Sequence, residues 1–378
     1  MTTQIKQTVQ IKQTAQAPQA PLTSPASPTS EAPPTSPTSL TVQQTARPTG
    51  FPTPEHFAFV EAPVPAPEPG TALVENLYWS VDPYHREMMD GDFELNTPLE
   101  GRTLGRVVDS RDPGLREGDL VLHRQGWRTH ALVTPGAYGT RTIQPYAGVP
   151  LSAYLSILGG TGLTAYVALT RTLQLRPGQD LFVSAAAGGV GTAVGRIARL
   201  LGAGRIVGSA GSAAKAAHLA EHLGFDAAFD YHDGTVRDLL AKAAPEGIDA
   251  YVDNVGGDHL EGAIASLRDH GRIAWVGAIS QYNNAAEPPA APRNLFDVVD
   301  KSLRLEGVLV RNYTDVQGEF EEFLVPHLQS GRIAPDVTVV EGFERIVDAF
   351  LGMLRGENLG KMLVKAQTQA QAQAQTLG

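Results

Sequence analysis

The residues best placed to do chemistry in this sequence are three small ones at fixed spacing, Ala185-x-x-Gly188-x-x-Gly191. They follow the apolar run Leu181-Phe182-Val183 and precede Thr192 to Leu201, where apolar residues recur at helical spacing. Small residues at such a turn let backbone approach a pyrophosphate, whose charge then meets a helix N-terminus. The spacing predicts a dinucleotide site formed by Gly188, Gly189, Val190 and Gly191. A tight turn in some other α/β protein carries similar glycines, but here a full strand–turn–helix–strand pattern surrounds them. The next strand sharpens the reading. An NAD site expects an acidic residue about 20 positions after the glycine motif. That place reads Ser209-Ala210-Gly211-Ser212 and holds no carboxylate. Lys215 follows and can pair a 2′-phosphate as a point charge. Tyr231 ends the next strand and can donate a hydrogen bond to the same group. These residues favour NADP(H) over NAD.

Other chemistries find less support. His218-Leu219-Ala220-Glu221-His222 fits an H-x-x-E-H pattern that puts two imidazoles on one helix face. No third ligand is indicated, so the segment reads as a solvated helix and no metal site is expected. The chain has no cysteine, which removes disulfides, iron–sulfur clusters and thiolate-bound zinc. It is compatible with a reducing, cytoplasmic setting. No G-x-S-x-G nucleophile elbow and no G-K-[ST] phosphate loop occur. A formal net charge of -10 argues against nucleic acid as partner. No apolar run reaches the roughly 18 residues of a membrane span.

The elements that must position the glycine turn are legible around it. Strands alternate with helices from Asp180 onward, through RIVGS (205–209), DAAFDY (226–231), IDAYVDN (248–254) and GRIAWVGA (271–278). This alternation predicts an α/β fold with a doubly wound parallel sheet. From Phe51 to Pro150 the pattern differs: short apolar runs broken by Gly and Pro, which read as an irregular β-rich domain. After a Pro-rich loop (287–293) come RLEGVLV (304–310), a helix around 318–330, a further helix near 344–355 and the strand KMLVKA (361–366). Residues 1–46 contain no Gly and no aromatic residue, and carry only Lys6, Lys12 and Glu31 as charges. Such a segment buries too little apolar surface to offset its ordering entropy, so 1–46 reads as a disordered arm. It lacks the apolar core of a secretory signal, and the first arginine of the chain is Arg47, late for a transit peptide. The Gln/Ala-rich tail, 367–378, reads as disordered too.

With these residues in view, the sequence resembles the zinc-independent branch of the medium-chain dehydrogenase/reductase superfamily. It is most similar to the NADPH-dependent double-bond reductases, the prostaglandin reductase and alkenal reductase group. The resemblance runs from Arg47 to about Val364. The segments that carry it are YWSVDPYHREMM (78–89), AAAGGVG (185–191), VGSAGSAAK (207–215), GIDAYVDNVGG (247–257), GRIAWVGAISQYN (271–283) and ENLGKMLVK (357–365). It implies a GroES-like β-rich catalytic domain (47–157 and 313–366) into which a Rossmann NADP-binding domain (158–312) is inserted. It also implies a homodimer and an active site in the cleft. Carried over by position, Gly188 to Gly191 would cradle the pyrophosphate, and Lys215 and Tyr231 would hold the 2′-phosphate. Asn254, Val276, Gly277, Ala278, Ile279, Ser280, Gln281, Tyr282, Leu309, Val310, Arg311 and Asn358 would line the rest of the cofactor. The sequence departs from the pattern at His85, where methionine is usual after the DPY motif, and in the Ala/Pro-rich 284–293 loop.

The resemblance implies hydride transfer from NADPH to the β-carbon of an α,β-unsaturated ketone or aldehyde. The cofactor carries the hard chemistry, and the protein orients it and stabilises the enolate. Tyr282, Tyr84 and a ribose hydroxyl of the cofactor are the donors expected at the oxyanion. An unperturbed tyrosine is protonated at neutral pH. Solvent or a tyrosine supplies the proton to the α-carbon. Two other readings stay open at this point, a quinone reductase of the same superfamily and a non-catalytic NADPH-binding protein.

Overall fold

A computed structural model describes residues 38–284 and 291–367. The described chain opens with two strands, β1 (Thr38–Gln44) and β2 (Phe57–Pro63), paired antiparallel. A β-rich region follows, with β3 (Ala72–Ser80), β4 (Thr103–Ser110), β5 (Leu120–His123), β6 (His130–Val133) and β7 (Arg141–Ile143). A short helix, α1 (Tyr84–Met88), follows the end of β3. The helix α2 (Gly160–Val167) leads into the second sheet.

That sheet is built from strands alternating with helices. In chain order they are β8 (Leu181–Val183), α3 (Gly189–Leu200), β9 (Ile206–Ala210), α4 (Ala213–His222), β10 (Ala227–Asp230), α5 (Val236–Ala243), β11 (Ile248–Asp253), α6 (Gly257–Ser266), β12 (Leu267–Trp275), α7 (Asp297–Asp300) and β13 (Arg304–Gly307). Its strands are all parallel, in the order β10-β9-β8-β11-β12-β13. This is the strand order of dinucleotide-binding doubly wound sheets. All of β8 is buried, as a parallel strand covered on both faces requires. Just past α3, Gly202 takes φ 81°, the left-handed conformation in which glycine commonly ends a helix. The chain then adds α8 (Gln317–Gln329), β14 (Val337–Glu341), α9 (Ile346–Leu354) and β15 (Lys361–Lys365). Among the described residues no helix is long and apolar enough to cross a membrane.

The last two strands return to the β-rich sheet, whose order is β14-β15-β3-β4-β5-β7, with β6 on β3. Sequence-distant strands thus close one sheet, and the parallel sheet lies between them along the chain. Helix α8 touches both regions. Phe320 and Phe323 pack on Tyr166 of α2 at 5.3 and 5.4 Å. Glu321 accepts from the Tyr146 hydroxyl at 3.0 Å.

One expectation is corrected. The segment 1–46, which by composition reads as a disordered arm, contains β1, and β1 belongs to the fold. Val42 is fully buried in a core with Trp79, Trp127 and Phe350. The Gln44 side chain is buried too, and its amide donates to the Ala46 and Met89 carbonyls, each at 2.9 Å. Composition hides this strand because its stability comes from tertiary partners rather than from its own apolar content. The remainder of the arm, 1–37, lies outside the described residues. So do 368–378 of the tail and 285–290 of the Ala/Pro-rich loop.

Candidate active site

In an open parallel sheet the ligand crevice lies beyond the carboxyl ends of the strands where the order reverses. Here that point falls between β8 and β11, and the residues leaving these two strands are tied together. The Ser184 hydroxyl accepts from the Asn254 N–H at 2.9 Å and donates to Asp253 Oδ1 at 3.3 Å. The Asn254 amide donates to the Ser184 carbonyl at 2.7 Å. Asp253 Oδ1 also accepts from the Tyr251 hydroxyl at 2.7 Å, the Val255 N–H at 2.9 Å and the Gly256 N–H at 2.8 Å. Burial raises the Asp253 carboxyl above its ordinary range in spite of these donors. This knot fixes Asn254 beside the glycine turn. Of its members, sequence reasoning singles out Asn254 alone. Ser184, Tyr251 and Asp253 carry no signal beyond being polar residues in or beside apolar strands.

The glycine turn is built as a cradle. A Cβ at Gly191 would lie 2.5 Å from the Ala185 carbonyl oxygen and the Ala186 Cα, so only glycine closes the turn here. Ala185 takes φ 46°, a conformation costing about 1 kcal/mol for a non-glycine residue. Helix α3 begins with Gly188 as N-cap and has no side-chain cap, which leaves its first N–H groups open to an anion. Gly188 also bridges to Gly360 just before β15, and the Gly360 N–H donates to the Ala187 carbonyl at 2.8 Å. The two sheets therefore meet at the glycine turn. Val190 lies between Gly189 and Gly191 and packs partly buried against the core.

Around the β9–α4 turn the donor set fits a phosphate. Ser212 caps α4 and accepts from the Lys215 N–H at 3.2 Å. Tyr231, partly exposed, brings its hydroxyl within 3.4 Å of where a Cβ on Gly211 would stand. Lys215 and Tyr231 thus flank one turn. The Lys215 ammonium donates to the Gly356 carbonyl, and partial burial lowers its pKa. Asn358, buried in the same loop as Gly356, donates to the Gly360 carbonyl at 2.7 Å.

The loop after β12 forms another wall. The Val276 and Gly277 N–H groups donate to the Asp253 carbonyl at 2.8 and 3.1 Å. The Ile279 and Ser280 N–H groups donate to the Asn254 and Val255 carbonyls, each at 3.3 Å. The Gln281 N–H closes a turn on the Ala278 carbonyl at 2.8 Å. Tyr282 then folds back, its oxygen accepting from the Ala278 N–H at 3.4 Å. Among the described residues its own proton has no acceptor. Tyr282 lines a cavity of about 270 Å³ with Glu87, Trp275, Val276, Gly277, Ala278 and Gly307. Burial raises its pKa, so the hydroxyl stays protonated. Leu309 and Arg311, past Gly307, are exposed, whereas Val310 packs against the core.

On the β-rich side, α1 carries Tyr84, His85 and Arg86. Arg86 is buried and donates to the Gly50 carbonyl at 2.9 Å and to Asn283 Oδ1 at 3.1 Å. It thereby ties the residue after Tyr282 to the β-rich region. The Tyr84 hydroxyl donates to Glu100 Oε1 at 3.2 Å, and Arg124 grips the same carboxylate at 2.8 and 3.0 Å. Burial pushes the Tyr84 pKa well up. Asp82 and Lys361 form a buried pair at 3.1 Å. Burial works against the charge on Asp82, but Lys361 and Arg102 outweigh it and hold the carboxyl well below its usual range. His85 Nδ1 accepts from the Asp82 N–H at 3.2 Å, and burial lowers its pKa to about 4, so the ring is neutral. Sequence reasoning misses Arg86, Glu100, Arg102, Arg124 and Lys361. The available signal was Lys361, a charged residue opening the apolar last strand.

The chain is similar to known proteins over most of its length. Residues 41–140 match the family described as the N-terminal domain of oxidoreductase, and 189–330 the family described as zinc-binding dehydrogenase. Prostaglandin reductase 1 of Mus musculus is 39% identical, over 84% of this chain and 96% of that protein. The NADP(+)-dependent 2-alkenal reductase of Nicotiana tabacum is 37% identical, over 77% and 86%. The crystal structure of CurA in complex with NADPH from Vibrio vulnificus aligns with TM-score 0.81 and 32% identity, covering 87% of this chain and 99% of that one. Fold, site and likeness together define an oxidoreductase with NADP(H) as its cofactor. The chain belongs to the medium-chain dehydrogenase/reductase superfamily, in the NADP-dependent group that holds the prostaglandin and alkenal reductases.

Proposed function

We propose that this chain uses NADPH to reduce the carbon–carbon double bond of α,β-unsaturated ketones and aldehydes. The observation that carries the reading is the Tyr282 hydroxyl. It accepts one long hydrogen bond, keeps its proton, and belongs to a loop anchored on Asp253 and Asn254 that lines a cavity. A free donor in such a position suits a developing enolate oxygen.

Gly188 to Gly191 would receive the cofactor diphosphate on the open N–H groups of α3, and Lys215 with Tyr231 the 2′-phosphate. Asn254, Val276 to Tyr282, Leu309 to Arg311 and Asn358 would line the remainder. Bound NADPH supplies the hydride and a ribose hydroxyl. Tyr282 donates its hydrogen bond to the carbonyl oxygen as negative charge grows there. Tyr84 is the weaker donor for the same task, because its proton is already given to Glu100. Neither tyrosine needs to ionise, and solvent serves as the proton source for the α-carbon.

We also infer a homodimer in the cytoplasm. The edge strand β13 is exposed throughout, and Phe296, Val299 and Leu305, in and around it, are exposed apolar residues. Pairing with a second copy would cover them.

The test is loss of NADPH absorbance with a panel of enals, enones and quinones, and NADH as control. Turnover of enones with NADPH preferred supports the reading. Turnover of quinones alone would replace it with a quinone reductase. Tight NADPH binding with no turnover would leave a cofactor-binding protein.

A further inference from the structure

Tyr231, just past β10, is 40% exposed, and among the described residues its hydroxyl makes no hydrogen bond. A ring so placed turns freely unless its neighbours hold it. Two imidazoles touch it. His232 stands 4.1 Å from it, centre to centre, at an angle of 39°. His259 meets it from another element, at 5.3 Å and 76°, the edge-to-face geometry that aromatic rings favour.

The two contacts differ in what they tie the ring to. His232 is exposed and next in the chain, and its tether, Asp230 Oδ1 at 2.8 Å, belongs to the same segment. His259 is the third residue of α6 and is 5% exposed. Burial lowers its pKa to about 4, so the ring is neutral. Its backbone is fixed: the Val255 and Gly256 N–H groups donate to Asp253, and the His259 N–H donates to the Gly256 carbonyl at 3.1 Å. His259 is thus carried on the knot that sets Asn254 beside the glycine turn. Its Nε2 is buried without a hydrogen-bond partner, so the contact with Tyr231 is what this position provides.

We propose that His259 is a positioning residue for cofactor choice, holding the Tyr231 ring so that its hydroxyl faces the turn between β9 and α4. The inference rests on the reading that gives this turn, with Lys215 and Tyr231, the 2′-phosphate of NADPH. The hydroxyl stands 3.4 Å from where a Cβ on Gly211 would lie, so the donor is already at the turn before a phosphate arrives. A donor placed in advance spares the ordering cost of binding. NADH brings no phosphate to this turn, so a displaced Tyr231 costs it little.

The experiment measures Kd for NADPH and NADH by calorimetry, which needs no turnover, on the wild-type chain and five variants: His259→Ala, His259→Leu, His259→Phe, Tyr231→Phe and the double variant His259→Ala with Tyr231→Phe. Tyr231→Phe should cut the NADPH-over-NADH ratio about tenfold. His259→Ala should cut it about fivefold, with NADH affinity unchanged. His259→Leu fills the space without a ring and should lose as much, which keeps the test open where His259→Ala fails to fold. His259→Phe keeps the ring edge and should keep the ratio. In the Tyr231→Phe background His259→Ala should change the ratio no further, because the hydroxyl it positions is gone. An unchanged ratio in His259→Ala and His259→Leu, beside a lowered one in Tyr231→Phe, overturns the inference and leaves the phosphate reading standing. So does an equal loss for NADPH and NADH, or a His259→Ala effect that persists in the Tyr231→Phe background. If Tyr231→Phe itself leaves the ratio alone, the phosphate reading of Tyr231 fails and the inference falls with it.

Discussion

Replacing Tyr282 by phenylalanine separates the two tyrosines weighed as oxyanion donors. The hydroxyl accepts one hydrogen bond, from the Ala278 N–H at 3.4 Å, long against the usual value of about 3 Å. Its loss costs less than about 1 kcal/mol of stability, so Tm should barely move. In the transition state the same hydroxyl would bond a developing anion. Such a bond contributes about 2 kcal/mol, which is about 30-fold in kcat. Because the interaction strengthens as the enolate forms, kcat should fall with KM nearly unchanged. Tyr84→Phe provides the contrast. Its hydroxyl would have to leave Glu100, at 3.2 Å, to serve the substrate, and the two bonds are of similar strength. The net effect on kcat is then within about 3-fold. Burial raises the pKa of Tyr282, so its proton persists as pH rises past the ordinary tyrosine value, and kcat should stay level there. Steady-state kinetics on a neutral enone, with NADPH affinity and Tm measured on each variant, check all of this. Unchanged kcat in Tyr282→Phe, or a larger loss in Tyr84→Phe, would refute the reasoning.

Further outcomes follow from other groups. His85, His123 and His259 are buried, and burial lowers their pKa from 6.5 to about 4, about 3 and about 4. The unfolded chain therefore binds protons that the native one refuses, so this stability is complete above pH 6.5 and is lost progressively as pH falls towards about 4. For His85 the loss approaches about 3 kcal/mol, and His85→Met should flatten the acid limb of a Tm-against-pH curve. Lys361→Met strands the Asp82 carboxylate and should destabilise by about 3 to 5 kcal/mol in urea unfolding, whereas adding Asp82→Leu should recover most of it. Lys215→Ala should cut the NADPH-over-NADH preference in kcat/KM by about tenfold or more while NADH activity changes little, and an unaltered ratio would remove Lys215 from the 2′-phosphate site.

What the sequence discloses here depends on how far apart the cooperating residues lie along the chain. The parallel sheet is legible because each strand–helix unit is local, with its own period and its own glycine stop, such as Gly202 after α3. The glycine turn is legible for the same reason: Ala185, Gly188 and Gly191 act within one turn. Strand β1 is hidden because Val42 and Gln44 are stabilised by Trp127 and Met89, far down the chain. The charge cluster at α1 is hidden more deeply still. Asp82, Glu100 with Arg102, Arg124 and Lys361 come from four separate segments and meet only after β15 has crossed back to β3. No local period marks such a meeting, and apart from Lys361, which opens the apolar last strand, each residue alone reads as an ordinary surface charge. The balance by which Lys361 and Arg102 keep the buried Asp82 carboxyl ionised is therefore a property of the folded sheet, and no single segment of the chain discloses it.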